Sequence, residues 1–301
     1  MAVADIPLEY RGAILSLAYH AKVKLLAVGQ MGDPDGRPCL TLWDPLAKKV
    51  VAIIEREASR HIWAVCFDYR GKYLLYSDNH SLFIYDIVSG EKRTLITDNG
   101  KIARIVSSTM VSRVAVSGKR VMVLDIDTEE VVWSLAGYEA QDDPACVEIF
   151  RNGRGVLVSG HNKATIEQIA VDSGAVIRTI APAPTEVGGM SLGCNERVIV
   201  VSSRVPRGNF AWELEGGQRI LPSVFNEQFG NSPSLCLHAT ERLLAMGALA
   251  GFVSLQPLDK IELAFHEKLH EGRVNQVIFG DDAKLFYSGG DDGTVKIIDL
   301  N

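Results

Sequence analysis

The segment His266–His270 carries the residue types of a catalytic zinc site. Its sequence, His-Glu-Lys-Leu-His, matches the HExxH pattern, in which two histidines bind zinc and the glutamate activates a water molecule. This chemistry requires a helix, because a helical turn brings residues i and i+4 onto one face. On an extended chain the two imidazoles do not converge, and no third ligand follows at metalloprotease spacing. We therefore expect neither a metal nor another cofactor in this segment.

Two turn-like segments have some features of ligand-binding loops. The sequence Asp33-Pro34-Asp35-Gly36 begins like a calcium loop, but it lacks the later acids and the bidentate glutamate. The segment Gly289–Thr294 resembles a phosphate-binding loop, but it precedes a strand-like run rather than a helix N-terminus. Both are interpreted as plain turns. No Ser-His-Asp ordering or carboxylate pair stands out among the 37 acidic residues, so the sequence predicts no catalytic site.

The elements that carry these motifs are short apolar runs typical of β-strands. Along Leu269–Leu300, a loop histidine, a strand serine, a turn aspartate and a strand-ending aspartate follow one another at His270, Ser288, Asp292 and Asp299. This segment resembles one WD repeat, the four-stranded blade of a β-propeller, except that Ile298 stands where the family has Trp. The resemblance implies that His270 hydrogen-bonds the Ser and the Asp of its own blade.

The pattern recurs along the chain, as it must if each blade is to bury both faces of its sheet. The residues that mark the ends of the third strands lie 39 to 45 residues apart, at Asp44, Asp86, Asp125, Ala170, Glu213, Pro257 and Asp299. Only blade 1 has an intact Trp43-Asp44 pair. We therefore expect an all-β protein, a seven-bladed β-propeller of four-stranded antiparallel blades that occupies residues 1–301 as a single domain.

The ends of the chain are expected to close this ring. Blade 7 has only three strands before Asn301, whereas Ala4–Tyr10 looks extended and precedes blade 1. If the N-terminal segment did not pair beside Val295–Leu300, blade 7 would expose a row of unpaired backbone donors and acceptors. We therefore predict that the N-terminal strand completes the last blade.

Composition narrows the class of partner and the compartment. The net charge of −6 argues against a polyanion partner, because phosphate binding draws on clustered Lys and Arg. The five cysteines are odd in number and form no CxxC pair, so they are interpreted as small buried hydrophobes in a reducing compartment. Neither a signal peptide nor a membrane-spanning run is apparent. We expect a cytoplasmic protein that does not bind membranes, with a nuclear location left open.

The resemblance implies that the inter-blade loops and the turns between second and third strands open on the usual binding face. Two of these turns are interpreted as enlarged loops, Gln30–Pro38 and Ser203–Asn209. Such loops are tolerated insertions or contact sites. The candidate partner-binding residues near the channel mouth and in the second loop are His61, Trp63, Lys101, Tyr138, Arg204, Arg207, Arg273 and Asn275. Trp63 is either an anchor for a partner or part of the strand core.

The resulting expectation is a non-catalytic protein–protein interaction scaffold, itself a monomer, that binds a peptide or a domain of a larger assembly around the central channel. One alternative is a propeller hydrolase or lactonase, which needs a cluster of acids and histidines at the channel mouth. Another is a nucleic-acid-associated propeller with a basic surface at Arg151, Arg154, Arg204 and Arg207, which conflicts with the acidic balance.

Overall fold

The apolar runs form strands of four to seven residues, and the strands form seven separate sheets. The computed structural model describes residues 2–9, 12–32, 35, 39–56, 61–78, 80–136, 138, 145–159, 165–180, 187–204, 207–220, 234–260 and 262–301. All 27 regular elements in these ranges are β-strands. Within the same ranges there is no helix of the length and apolarity needed to cross a membrane.

Blades 1 to 6 use consecutive strands, numbered from the channel outwards, and blade 7 combines the last three strands of the chain with the first. Strand β1 (Ala2–Asp5) precedes blade 1, and blades 1 and 2 comprise β2 (Ile14–His20), β3 (Leu25–Gln30), β4 (Leu40–Asp44), β5 (Lys49–Glu55), β6 (Ala64–Phe67), β7 (Tyr73–Ser77), β8 (Leu82–Asp86) and β9 (Lys92–Ile96). Blades 3 and 4 comprise β10 (Arg104–Ser107), β11 (Arg113–Ser117), β12 (Val121–Asp125), β13 (Glu130–Leu135), β14 (Cys146–Ile149), β15 (Gly155–Ser159), β16 (Ile166–Ala170) and β17 (Val176–Ile180). Blades 5 to 7 comprise β18 (Val187–Gly193), β19 (Val198–Arg204), β20 (Arg207–Glu213), β21 (Ser234–Leu237), β22 (Leu243–Gly247), β23 (Phe252–Pro257), β24 (Phe265–Lys268), β25 (Val274–Phe279), β26 (Leu285–Gly290) and β27 (Val295–Asp299).

The core lies between neighbouring blades. All six residues of β3 are buried, because blades pack against both faces of this second strand. Such strands read as continuous apolar runs rather than as alternating patterns. The outer strands β5 and β17 are mostly exposed and carry more polar residues. Apolar content therefore decreases from the second strand of a blade to its outer edge.

The ring closes through the N-terminal strand, as predicted. Strand β1 pairs antiparallel with β27, and Ala2 lies opposite Asp299. The predicted range, Ala4–Tyr10, is wrong, because pairing covers Ala2–Asp5 and ends with a hydrogen bond from the Ile6 N–H to the Val295 carbonyl at 2.9 Å. Pro7 follows and has no N–H to continue the ladder.

The prediction of an enlarged loop at Ser203–Asn209 is also wrong. Strand β19 continues to Arg204 and β20 begins at Arg207, and these two residues are paired. The segment is therefore the end of a β-hairpin, with residues 205–206 outside the described ranges. The other predicted loop, Gln30–Pro38, lies largely outside them as well, since only residues 30–32 and 35 are described.

Blade 5 has three described strands where the other six blades have four. Where the other blades have a fourth strand, blade 5 has an isolated bridge between Trp212 and Arg219. Next to it, the Ile220 N–H donates a hydrogen bond of 2.9 Å to the Ala211 carbonyl. Residues 221–233, which follow, lie outside the described part of the chain.

The antiparallel order of each blade separates its turns onto two faces. The inter-blade face carries the segments that lead into each inner strand and the turns between second and third strands. The opposite face carries the turns between first and second strands and between third and fourth strands. Every predicted partner-binding residue belongs to the inter-blade face by its place in the chain.

Candidate functional site

The HExxH segment is extended and does not form a helix. His266 lies on β24 with an exposed side chain that stacks on Phe252, with ring centroids 4.7 Å apart, and its Nδ1 lies 2.9 Å from the Ser254 hydroxyl. His270 lies beyond the strand and points into blade 7. The structure thus separates the two imidazoles that a zinc site would need to bring together. The described residues contain no group of three or more His, Cys, Asp and Glu side chains arranged to hold a metal.

His270 instead joins two strands of blade 7. Its side chain is buried, with Nε2 lying 2.8 Å from the Ser288 hydroxyl and Nδ1 lying 3.0 Å from Asp292 Oδ1. Gly290 packs against the same imidazole, where an added Cβ would lie 2.7 Å from Nδ1. This is the histidine, serine and aspartate arrangement that the sequence predicts for a WD repeat. Its role is structural, because all three side chains bond within one blade.

The pKa values of the two titratable groups in this network move in the same direction. Burial lowers the pKa of His270, and the Asp292 carboxylate opposes this shift only in part. Burial alone would raise the pKa of Asp292, but hydrogen bonds from His270 and from the Thr294 and Glu271 backbone lower it to about 2. The folded protein therefore favours a neutral histidine beside a charged aspartate.

A cluster of three predicted residues, His61, Trp63 and Lys101, lies on the inter-blade face. We call it the Trp63 cluster. The Lys101 Nζ atom lies 3.8 Å from the Trp63 ring centroid, and the His61 ring meets Trp63 edge-on at 5.9 Å. The His61 Nδ1 atom accepts a hydrogen bond of 3.1 Å from the Gly32 N–H, which ties the cluster to the blade 1 turn. These contacts join blades 1, 2 and 3 at the rim of the channel.

The remaining predicted residues are dispersed over the same face. Arg273 is exposed, and the Asn275 amide donates hydrogen bonds to the Ile14 carbonyl at 2.9 Å and to Asp291 at 2.7 Å. Tyr138 is only 6% exposed and packs between blades 3 and 4, with its hydroxyl bonded to Glu167. Strand pairing places the backbones of Arg204 and Arg207 at the tip of the blade 5 hairpin.

The central channel is a cavity of about 740 Å³ lined by the inner strands. Of the predicted partner-binding residues, only Trp63 contributes to its wall; Arg151, named above for the nucleic-acid alternative, lines it as well. Sequence reasoning missed its two central charged residues, Arg104 on β10 and Glu148 on β14, whose side chains form an ion pair of 2.5 Å. The signal that could have identified them is a charged residue within an otherwise apolar inner strand, as in the Cys-Val-Glu-Ile run of β14.

Burial in the channel shifts the pKa values of several groups. It raises the pKa of Glu148, an effect that Arg104 opposes through charge and hydrogen bonding. It also raises the pKa of the Cys66 thiol to about 12 and that of the Cys236 thiol to about 11. Both thiols therefore stay protonated at neutral pH and are poor nucleophiles.

The comparisons with known proteins agree with this geometry. Residues 263–299, which cover β24 of blade 6 and β25 to β27 of blade 7, match the family model described as WD domain, G-beta repeat. A search of curated proteins found no match. The matched repeat, the seven-bladed ring and the bonded His270 together fit a WD-repeat β-propeller, a fold that commonly mediates protein interactions.

Proposed function

We propose that this protein is a non-catalytic interaction scaffold that binds a peptide or a domain of a protein partner on its inter-blade face. The observation that carries the proposal is the Trp63 cluster. A partly exposed tryptophan at the channel rim, with a lysine stacked on it and a histidine at its edge, offers a large preorganised contact surface. Trp, Tyr and Arg are the residue types most often found as interface hot spots.

The rigidity of the surrounding backbone supports this role. The Trp63 N–H donates to the Ser77 carbonyl at 3.1 Å, and the Ile62 N–H donates to the Gln30 carbonyl at 3.0 Å. Because these bonds fix the segment before β6, a partner would not have to order it on binding. The exposed Arg273 lies on the same face in blade 7 and extends the surface that a partner could contact.

The test begins with the purified full-length protein as bait in native lysate, followed by identification and purification of the main partner. The affinity of that partner is then measured for wild type and for a Trp63→Ala, Arg273→Glu double variant. Losing an aromatic anchor should weaken binding by about 2 kcal/mol or more. The thermal transition should change little, because Arg273 is exposed and Trp63 is partly exposed at the channel rim.

A charge reversal on the opposite face provides the matched control. Lys284 is exposed in the turn between β25 and β26, so Lys284→Glu alters a blade 7 cation without touching the inter-blade face. This variant should bind the partner like wild type. Full binding by a folded double variant, or loss of binding on Lys284→Glu, would show that the partner contacts another surface.

A further inference from the structure

The wall of the central channel contains one charged position at its middle level. In each blade one inner-strand residue pairs with the third residue of the second strand. These equivalent residues are Ala18, Cys66, Val106, Glu148, Ser191, Cys236 and Ile278. Glu148 alone among them carries a charge, so the channel is uncharged at this level except on the side of blade 4.

Arg104 supplies the positive charge that pairs with Glu148, and its side chain links blades 3, 4 and 5. From the start of β10 its Nη2 atom donates to Glu148 Oε1 on β14, at 2.5 Å, and to the Met190 carbonyl on β18. Its Nε–H is buried and has no acceptor among the described residues. The side chain still keeps 29% of its surface exposed, and it lines the channel cavity. The guanidinium therefore has donor capacity that its two protein acceptors do not use.

This unused capacity indicates what kind of ligand fits. A guanidinium carries five N–H donors in a planar fork that matches a carboxylate, and the exposed part of Arg104 presents this fork to the channel. A second cation, Arg151, lines the cavity where β14 ends at the opposite face, with its Nε bonded to the Thr109 hydroxyl at 3.2 Å. A cavity of about 740 Å³ has the size of a small-molecule site.

We propose that the channel is a binding site for a carboxylate ligand, with Arg104 as its anchor and Arg151 at its entrance on the opposite face. The carboxylate belongs either to a small organic acid or to the acidic end of a peptide. The channel-facing part of the guanidinium supplies the donors, and the neighbouring uncharged wall accommodates the rest of the ligand. This site differs from the Trp63 cluster in its chemistry, and its entrance at Arg151 lies on the opposite face, although Trp63 lines the other end of the same cavity.

Glu148 makes the binding of a carboxylate at this site dependent on pH. The groups that face it are Arg104 from β10, Cys146 on its own strand, and the thiols of Cys66 and Cys236 from β6 and β21. The two facing thiols stay protonated at neutral pH, and Arg104 stays charged. A bound carboxylate would repel the Glu148 carboxylate and favour its protonated form, so binding takes up a proton at Glu148. While the ligand stays ionised, its affinity therefore rises as the pH falls.

Calorimetric titration of the full-length protein with succinate tests the proposal. Glu148→Gln removes the competing carboxylate while keeping the side-chain shape, so succinate should bind this variant about tenfold more tightly than wild type at neutral pH. Over the pH range in which succinate stays a dianion, the pH dependence seen in wild type should be absent in Glu148→Gln. An Arg104→Met, Glu148→Gln double variant removes both charges, leaves no unpaired buried ion and should not bind succinate.

The two arginines at the end of β14 give a matched comparison. Arg151→Gln should weaken succinate binding severalfold, whereas Arg154→Gln should have no effect, because Arg154 is exposed in the same turn but does not line the cavity. A peptide ending in aspartate is titrated in parallel. Binding of succinate would identify small acids as the ligand class, and binding of the peptide alone would identify a chain terminus.

Two results would overturn the proposal. One is a folded Glu148→Gln variant that binds neither succinate nor the acidic peptide. The other is equal binding by the Arg104→Met, Glu148→Gln double variant. If Glu148→Gln does not fold, wild type titrated at the lowest pH at which succinate stays a dianion replaces it. Failure of wild type to bind more tightly there than at alkaline pH would contradict the coupling and the site together.

Discussion

At the residue scale, the contrast between His270 and His266 tests the structural reading of the HExxH segment. His270 is buried between Ser288 and Asp292, and His270→Ala should lower the free energy of unfolding by about 1–3 kcal/mol, because it leaves a buried hydrogen-bond network partly unsatisfied. His266→Ala removes only a surface stacking contact and one hydrogen bond, and should cost less than about 1 kcal/mol. Urea denaturation measures both. Equal losses, together with stoichiometric zinc in the purified protein, would contradict the propeller interpretation.

The same network predicts how stability depends on pH. The pKa of His270 is lowered below its ordinary value of 6.5, so its contribution to stability is complete above that pH and is lost as the pH falls through it. The pKa of Asp292 is lowered from 3.8 to about 2, so its contribution is lost over that lower range. The melting temperature should therefore fall on acidification below about pH 6.5 and again below about pH 4.

Comparison with His270→Ala isolates the histidine. The variant should show a smaller decrease in melting temperature between neutral and mildly acidic pH than wild type does. A decrease remains in the variant, because burial also lowers the pKa values of His20 and His238. Identical pH profiles for the two proteins would show that His270 does not contribute to the acid sensitivity.

At the scale of elements, β1 tests how blade 7 is completed. Deletion of residues 1–9 would expose the edge of β27 and remove Ile6, which is 4% exposed and packs in the core between blades 7 and 1. We expect a lower melting temperature and oligomers on size-exclusion chromatography, because an uncovered strand edge pairs with other chains. A truncated protein that stayed monomeric with an unshifted transition would show that β1 is dispensable.

A disulfide provides the converse experiment. Asp5 and Lys296 lie directly opposite each other, and their side chains form an ion pair of 2.7 Å. Cysteines at these two positions should oxidise readily and raise the melting temperature relative to the reduced form, because the bond would close nearly the whole chain into a loop. Both forms of this variant lack the ion pair, so the difference between the melting temperatures of the oxidised and reduced forms reports the disulfide alone.

Strand positions inside the blades were predictable because burial on both faces leaves a clear apolar signal. The apolar runs Tyr73–Ser77, Arg113–Ser117 and Gly155–Ser159 each form the second strand of a blade with those bounds. The end of the blade 5 hairpin was not predictable in the same way. Ser203–Asn209 contains Pro and Gly between polar residues, which indicates a loop, but cross-strand pairing up to Arg204 and Arg207 extends the strands.

At the scale of the whole molecule, the sequence predicts the ring but not the contacts across its axis. The spacing of the repeats indicates seven blades. The Trp63 cluster forms because its residues lie just before the inner strands of adjacent blades. The Arg104–Glu148 pair could not be predicted from spacing alone, since it depends on how side chains of blades 3 and 4 are directed into the channel. Contacts of this kind are set by packing between blades rather than by the pattern within one.

The central claim is that a protein partner docks on the inter-blade face, and site-specific photo-cross-linking in native lysate tests it most directly. A photoreactive phenylalanine analogue replaces Met31, which adjoins the Gly32 contact to His61, or Val23, in the β2–β3 turn of the opposite face. The two side chains are matched, being apolar, in blade 1, and 39% and 37% exposed. We expect a discrete partner to be cross-linked from position 31 and not from position 23. Cross-links from position 23 alone would contradict it.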